Sequence, residues 1–66
     1  MLDLSDLGNW SDEDVMASLN DIEGGLTDNQ VTWVERFNHR IEDRGSLSNR
    51  QREIAEDILM QWNDKQ

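Results

Sequence analysis

Cysteine and proline are both absent from this chain of 66 residues, and only one histidine is present. Without cysteine there can be no disulfide framework, and a single histidine leaves no plausible all-protein zinc site, so packing alone has to hold the fold. The absence of proline means that no helix is interrupted by a residue without a backbone N–H. A reducing compartment suits this composition.

Long apolar runs are missing as well. No stretch approaches the roughly 18 apolar residues that span a membrane, and the first residues carry no basic segment of a secretory signal. We therefore expect a soluble, cytoplasmic protein without membrane contact. A chain of this length forms one domain, residues 1–66, and buries only about 60% of the surface that its unfolded form exposes.

Positive charge is scarce: six Lys and Arg residues stand against fifteen Asp and Glu residues, for a net charge of −9. The imbalance is concentrated at one end, since residues 1–25 contain seven of the acids and neither Lys nor Arg. Such a chain repels nucleic acid over long range, which excludes indiscriminate binding of polyanions. A local basic patch can still bind.

The strongest pattern present is a repeat at an offset of 21 residues. Each copy opens with Leu, then Ser or Thr, then Gln three positions later, and apolar residues follow at helical spacing. The copies are Leu26, Thr27, Gln30, Trp33, Val34, Phe37, Ile41 and Leu47, Ser48, Gln51, Ile54, Ala55, Ile58, Trp62. A hydroxyl followed by Gln at this spacing is a capping box, so the repeat predicts two similar amphipathic helices. Two copies are too few for a solenoid and indicate neighbours in a bundle.

The predicted fold class is all-α, a small antiparallel bundle of three main helices. The first covers about residues 11–23, from a capping box at Ser11 and Asp14 to the glycine pair that follows. The repeat helices cover about 27–43 and 48–63. An apolar segment before Gly8 allows a short N-terminal fourth helix. The residues expected to face the core include Trp33, Val34, Phe37, Ile41, Ile54, Ala55, Ile58 and Trp62.

Neither catalysis nor a cofactor is expected. The chain has no Cys nucleophile and no Gly-rich phosphate loop. His39 lies opposite the apolar face of its helix, where a solvated side chain is expected rather than a general base. The acids at residues 12–14 begin a helix, where its dipole stabilises them, and they lack the central Gly and distal Glu of a calcium loop. We therefore expect a non-enzymatic protein with no metal.

Five of the six cationic residues are arginines, and they follow one another within 17 positions. They form what we call the arginine cluster: Arg36, Arg40, Arg44, Arg50 and Arg52. Arginine favours planar, bidentate contact with phosphate or carboxylate. Two interpretations stay open at this point, namely phosphate binding at one corner of the bundle and internal pairing with acidic side chains.

Three further features bear on partners. Asp21 and Glu23 lie in the last turn of the first helix, where they oppose its dipole; either they meet the arginine cluster, or they belong to an acidic surface for a basic partner. On the wheel Leu59 lies about 100° and Met60 about 200° from Ile58, so both are expected to extend an apolar patch outward unless Leu59 lies at the edge of the bundle. The aromatic residues are expected in the core, with Trp10 the best alternative candidate for stacking on an unpaired base.

The segment from Trp10 to Trp62, with its two Leu-Ser/Thr-x-x-Gln helix openings, resembles small helical proteins encoded beside the recombination helicase UvsW of T-even phages. This resemblance implies a four-helix bundle akin to the HRDC module of RecQ-type helicases. It further implies a helicase accessory in phage DNA replication, recombination and repair, located in the cytoplasm of the host cell.

We therefore expect a monomeric, non-enzymatic module that works beside a helicase and binds single-stranded or branched DNA weakly. The arginine cluster contacts phosphate, and His39 or an exposed aromatic residue adds a base contact. The alternative is an acidic interaction module, or a nucleic-acid mimic, that binds a basic protein through residues 1–25. Its candidate contacts are Asp12, Asp14, Asp21, Glu23 and Met60.

Overall fold

The computed structural model describes residues 3–65, which form three α-helices with short connections and no strand. Helix α1 spans Asp12–Ile22, α2 spans Asp28–Arg44 and α3 spans Asn49–Asp64. Each helix contacts the other two. The predicted all-α bundle is confirmed, and every helix begins and ends within one residue of its expected range.

The segment before α1 forms less helix than the sequence allows. A single 3-10 turn spans Leu7–Asn9, where Leu7 is buried and Gly8 and Asn9 are exposed. The Leu7 carbonyl accepts a hydrogen bond of 3.1 Å from the backbone N–H of Trp10. One buried leucine anchors a turn but cannot bury a helix face, so no fourth α-helix is formed among residues 3–65. A second 3-10 turn, Glu23–Gly25, follows α1.

The starts of α2 and α3 are capping boxes, as predicted. At α2, Thr27 Oγ1 accepts from the Gln30 backbone N–H at 3.3 Å, and Gln30 Oε1 accepts from the Thr27 backbone N–H at 3.0 Å. At α3, Ser48 and Gln51 exchange the same two bonds, both at 3.2 Å. These bonds satisfy N–H groups that a helix start otherwise leaves unpaired, so the repeated sequence produces a repeated local structure.

The core draws side chains from all three helices. Its largest fully buried members are Val15 and Leu19 of α1, Val34 and Phe37 of α2, and Leu59 of α3. Smaller contributions come from the first turn and from the loop before α3: Leu7 and Leu47 are also buried. Burying side chains of this kind contributes roughly 1.5–3 kcal/mol each, which is the main force holding a chain without disulfides together.

Two positions differ from the predicted core. Leu59, expected to point outward, is fully buried, whereas Trp33, expected in the core, is 36% exposed. The reason is the orientation of each buried stripe, which is centred on Val34 in α2 and on Ala55 in α3. Leu59 lies about 40° from Ala55, but Trp33 lies about 100° from Val34 and reaches only the edge of the bundle.

The end of α3 packs closely against the turn after α1. A Cβ added at Gly25 would lie 2.8 Å from Nε1 of the half-buried Trp62 indole, whereas one added at Gly24 would meet no atom within 4 Å. Gly25 therefore gives the indole its space. Gly45 has a different role, because its φ of 78° closes α2 in the left-handed conformation.

No helix within residues 3–65 is both long enough and apolar enough to cross a membrane.

Candidate functional site

One member of the arginine cluster is committed to the fold. Arg52 donates from Nη1 to Asp12 Oδ1 at 2.7 Å, from Nε to Glu56 Oε2 at 2.6 Å, and from Nη2 to the Leu7 carbonyl at 2.8 Å. Its side chain is only 18% exposed. Because every guanidinium nitrogen has a partner, Arg52 joins α3 to α1 and to the first turn, and it has little capacity left for phosphate. We call this arrangement the Arg52 clamp.

Asp12, a candidate of the acidic alternative, is the other half of the clamp. Its second oxygen, Oδ2, accepts from the Leu47 backbone N–H at 2.8 Å. This bond is the main reason why the pKa of Asp12 lies below its ordinary value; burial opposes the shift, and Arg52 adds to it. Asp12 therefore stabilises the loop before α3, and the internal pairing that the sequence left open is present here.

The remaining acidic candidates are not drawn into such contacts. Asp14 and Asp21 are exposed and Glu23 is half-buried. None of the three forms an ion pair within residues 3–65, so the acids at the end of α1 do not meet the arginine cluster. Asp14 contributes to the fold through its backbone N–H, which donates a hydrogen bond of 3.1 Å to the Ser11 hydroxyl at the N-cap of α1.

The outer side of α2 carries an exposed aromatic ring with an arginine above it. The Trp33 ring stacks on that of the fully buried Phe37, with 5.9 Å between the ring centroids and 29° between the planes. The Arg36 guanidinium carbon lies 5.5 Å from the Trp33 ring centroid, which is a cation–π contact. Because Phe37 is fully buried, it supports one side of the Trp33 indole. The Trp33 ring is thus partly exposed and lies next to a cation.

Two more arginines continue the same side of the helix. Arg40 follows Arg36 by one turn and is half-buried, and its Nε is buried without a hydrogen-bond partner among the described residues. Arg44 is exposed and pairs with its neighbour Asp43, with 3.4 Å between Nε and Oδ2. We call Trp33, Arg36, Arg40 and Arg44 the Trp33 face; on a helical wheel they fall within about 80° of one another.

The other predicted contacts lie beside this face or away from it. His39 is exposed and borders the Arg36 side of α2. Arg50 is exposed in the first turn of α3 and forms no ion pair within the described part of the chain. Trp10, the predicted stacking residue, is half-buried and packs against the core. Met60 is 46% exposed on α3.

The exposure of Trp33 is the feature of this candidate site that the sequence analysis does not predict. A helical wheel centred on Phe37 placed Trp33 inside, although the arginine three positions later was a usable signal. Side chains at i and i+3 are neighbours on a helix surface, and an arginine at that spacing stacks on a tryptophan only if the ring is accessible.

Within residues 3–65, no three His, Asp or Glu side chains are grouped so that they could hold a metal ion. The described surface therefore offers two kinds of feature, a basic aromatic face on α2 and acidic side chains elsewhere. Comparisons of the chain with protein-family models, with curated proteins and with solved structures found no match.

Proposed function

We propose that this protein is a non-enzymatic accessory module that binds single-stranded or branched DNA weakly through the Trp33 face while working beside a helicase in phage DNA replication, recombination and repair. The observation that carries the proposal is the exposed Trp33 ring, supported by buried Phe37 and accompanied by Arg36. Unpaired bases stack on aromatic side chains, and arginine contacts the phosphates beside them.

The local charge of this face supports the proposal despite the acidic chain. Arg36, Arg40 and Arg44 line one side of α2, and on the wheel Glu35 and Glu42 lie on the opposite side. Among residues 3–65, only Asp43 forms an ion pair with one of these arginines, and it does so at the surface, where such a pair contributes little. A phosphate at this face is therefore closer to the arginines than to the carboxylates of α2.

Weak binding follows from the same charges. With a net charge of −9, long-range repulsion opposes the approach of DNA, and only a few arginines can neutralise phosphates. Such binding becomes useful when another protein holds the module close to DNA, because a tether raises the effective concentration without any new contact. This is consistent with an accessory role, and the resemblance to HRDC-like modules supports a helicase as the associated enzyme.

The acidic alternative, with residues 1–25 binding a basic protein, is less well supported. Asp12 is occupied by the Arg52 clamp. The exposed large apolar side chains of the described residues are Trp33 and Met60, neither of which lies on α1. Protein interfaces are organised around buried apolar or aromatic anchors, so the acids of α1 lack the feature that gives such a surface most of its binding energy.

The test is an NMR titration of the labelled protein with a short single-stranded oligonucleotide and then with a branched DNA, at low and at moderate salt. We expect shifts on the Trp33 face and at its indole N–H, which weaken as salt is added. Arg36→Gln should lower the affinity and reduce the salt dependence by about one phosphate contact.

Lys65→Gln is the matched control because it removes one exposed positive charge outside the face. It should bind DNA as the wild-type protein does, apart from the small effect of net charge. An equal loss of DNA affinity in Arg36→Gln and Lys65→Gln would contradict the proposal. So would the absence of resonance shifts with either DNA. Shifts confined to residues 3–25 would contradict it as well.

A further inference from the structure

A shallow groove runs along α3 and has no part in the proposed DNA contact. It is lined by Glu53, Ile54, Glu56, Asp57 and Met60, and it holds about 390 Å³. These lining residues all belong to one helix, so no second element closes over the groove. Small-molecule sites bury most of their ligand in a cleft between elements, and a groove on a single helix is suited instead to side chains from another protein.

Met60 is the apolar anchor of this groove. It is 46% exposed although it is a large hydrophobic residue. Glu56 and Asp57 precede it by four and three residues, and Glu53 by seven, so on the helix all three carboxylates lie around the thioether. Methionine is flexible and polarisable, which makes it a common contact residue on surfaces that bind partner helices.

The carboxylates of the groove are only partly neutralised from within. Glu56 pairs with Arg52, whereas Asp57 accepts from Gln61 Nε2 at 2.9 Å and has no cationic partner within the described chain. Glu53 is exposed and forms no ion pair there either. Glu53 and Asp57 are spaced i and i+4, where like charges destabilise a helix, and a cationic partner relieves that repulsion.

We propose that this groove docks a basic amphipathic helix of a partner protein. An apolar side chain of that helix contacts Ile54 and Met60, and Lys or Arg residues on its flanks pair with Glu53 and Asp57. This is the helix-in-groove mode of recognition, in which apolar anchors supply affinity and flanking charges select the partner. The site is distinct from the Trp33 face and from the acids of α1.

A partner protein fits the groove better than a second copy of this chain. Each copy carries a net charge of −9, so two copies repel each other. A contact between the α2 arginines of one copy and the α3 groove of another would join two different surfaces, which produces a ring or an open chain rather than a twofold dimer.

The experiment titrates the full-length labelled protein with a synthetic helical peptide whose leucines lie at i, i+3, i+4 and i+7 and whose other positions are lysine. A peptide with glutamate in place of each lysine is the control. We expect shifts concentrated on residues 53–60 with the lysine peptide and none with the glutamate peptide.

Variants separate this groove from general acidic attraction. Met60→Gln keeps the length of the side chain but removes its apolar end, and Glu53→Gln removes one carboxylate; each should weaken peptide binding roughly threefold to tenfold, or about 0.7–1.4 kcal/mol. Glu13→Gln, at an exposed position of α1, changes the net charge equally and should leave the affinity within about twofold.

Three outcomes would overturn the proposal. The first is a set of shifts spread over the acids of residues 3–25, and the second is an affinity loss in Glu13→Gln equal to that in Glu53→Gln. The third is a concentration-dependent increase in sedimentation of the protein alone that Met60→Gln abolishes, because the occupant would then be a second copy. None of these results depends on DNA binding, so the two proposals fail separately.

Discussion

Helices α2 and α3 have the same opening and share two buried positions, yet they differ in the side chains that border those positions. At the offset of 21 residues, Val34 corresponds to Ala55 and Phe37 to Ile58, and all four are buried. At the edge of the stripe Trp33 corresponds to Ile54, but the next outward position is Arg36 in α2 and Asp57 in α3. The repeat thus maintains a framework while its outer surfaces differ in charge.

This difference separates residues that hold the fold from residues that are free to bind. The corresponding core residues differ in size but remain apolar, whereas Arg36 and Asp57, at corresponding outer positions, differ in the sign of their charge. The outward side chains of the two helices are therefore the candidates for binding a partner. An outward side chain that bonds to another helix, as Arg52 does, stabilises the fold instead.

The largest expected effect concerns the shared core. Phe37→Ala should reduce the free energy of unfolding by about 3–5 kcal/mol and Ile58→Ala by about 2–5 kcal/mol, because each leaves a cavity. Trp33→Ala should cost less than either, because the Trp33 side chain is already 36% exposed at the edge of the bundle. Urea denaturation followed by circular dichroism measures all three.

A domain of this size has roughly 3–10 kcal/mol of stability in total, so Phe37→Ala alone can unfold it. Phe37→Leu is the milder variant that keeps the comparison measurable. If Trp33→Ala destabilised the protein as much as Phe37→Ala, the assignment of Trp33 to the outer face would be wrong.

The next effect distinguishes two arginines of α3. Arg52→Ala should lower the free energy of unfolding by about 2–3 kcal/mol, since it leaves Asp12 and the Leu7 carbonyl without their donor. Arg50→Ala removes the same charge from an exposed side chain and should change stability by less than about 0.5 kcal/mol. Equal effects in chemical denaturation would show that the Arg52 clamp does not hold the helices together.

The Arg52 clamp should also make the free energy of unfolding depend on pH. The pKa of Asp12 is lower in the folded protein than its ordinary value, so its contribution to stability is complete above that ordinary value and is lost as the pH falls through the folded pKa. Between about pH 6 and pH 2, the free energy of unfolding should therefore fall more steeply for the wild-type protein than for Asp12→Asn. Parallel curves would contradict the lowered pKa.

A smaller effect concerns the last position of the repeat, where Ile41 of α2 corresponds to Trp62 of α3. Gly25→Ala should destabilise the protein by about 1–2 kcal/mol and shift the Trp62 indole resonance, because the added methyl group enters the space of Nε1. Gly24→Ala meets nothing within 4 Å and should be neutral or slightly stabilising. If Gly24→Ala lowered the thermal unfolding temperature more than Gly25→Ala, this close packing would be excluded.

The smallest effect tests the equality of the two helix starts. Thr27→Ala and Ser48→Ala should each cost about 1 kcal/mol, since each removes the acceptor for a backbone N–H at the third helical position. Their effects should add in the double variant, because the two caps share no hydrogen bond. A twofold difference between the single variants in thermal unfolding would show that the boxes are alike in geometry but not in energy.

How far the sequence alone predicts this structure depends on the distance over which a feature acts. Caps, glycine stops and the buried stripes are local, so Thr27 and Ser48 place the starts of α2 and α3, and Gly45 places the end of α2. The Arg52 clamp joins residues 40 positions apart and depends on how α1 and α3 pack, which no helical wheel contains. The wheel also gives the order of residues around a helix but not the width of its buried arc, and this explains the misplacement of Trp33 and Leu59.

We propose that two helices with one framework bind through outer sites of opposite charge, the Trp33 face on α2 and the acidic groove on α3. The most direct test is an NMR titration of the exchange variant Arg36→Asp/Asp57→Arg with a short single-stranded oligonucleotide. The variant keeps the net charge at −9, so any change in binding comes from position alone. We expect a folded protein in which DNA no longer shifts the resonances of the Trp33 face. Unchanged affinity and unchanged shifts on α2 would contradict it.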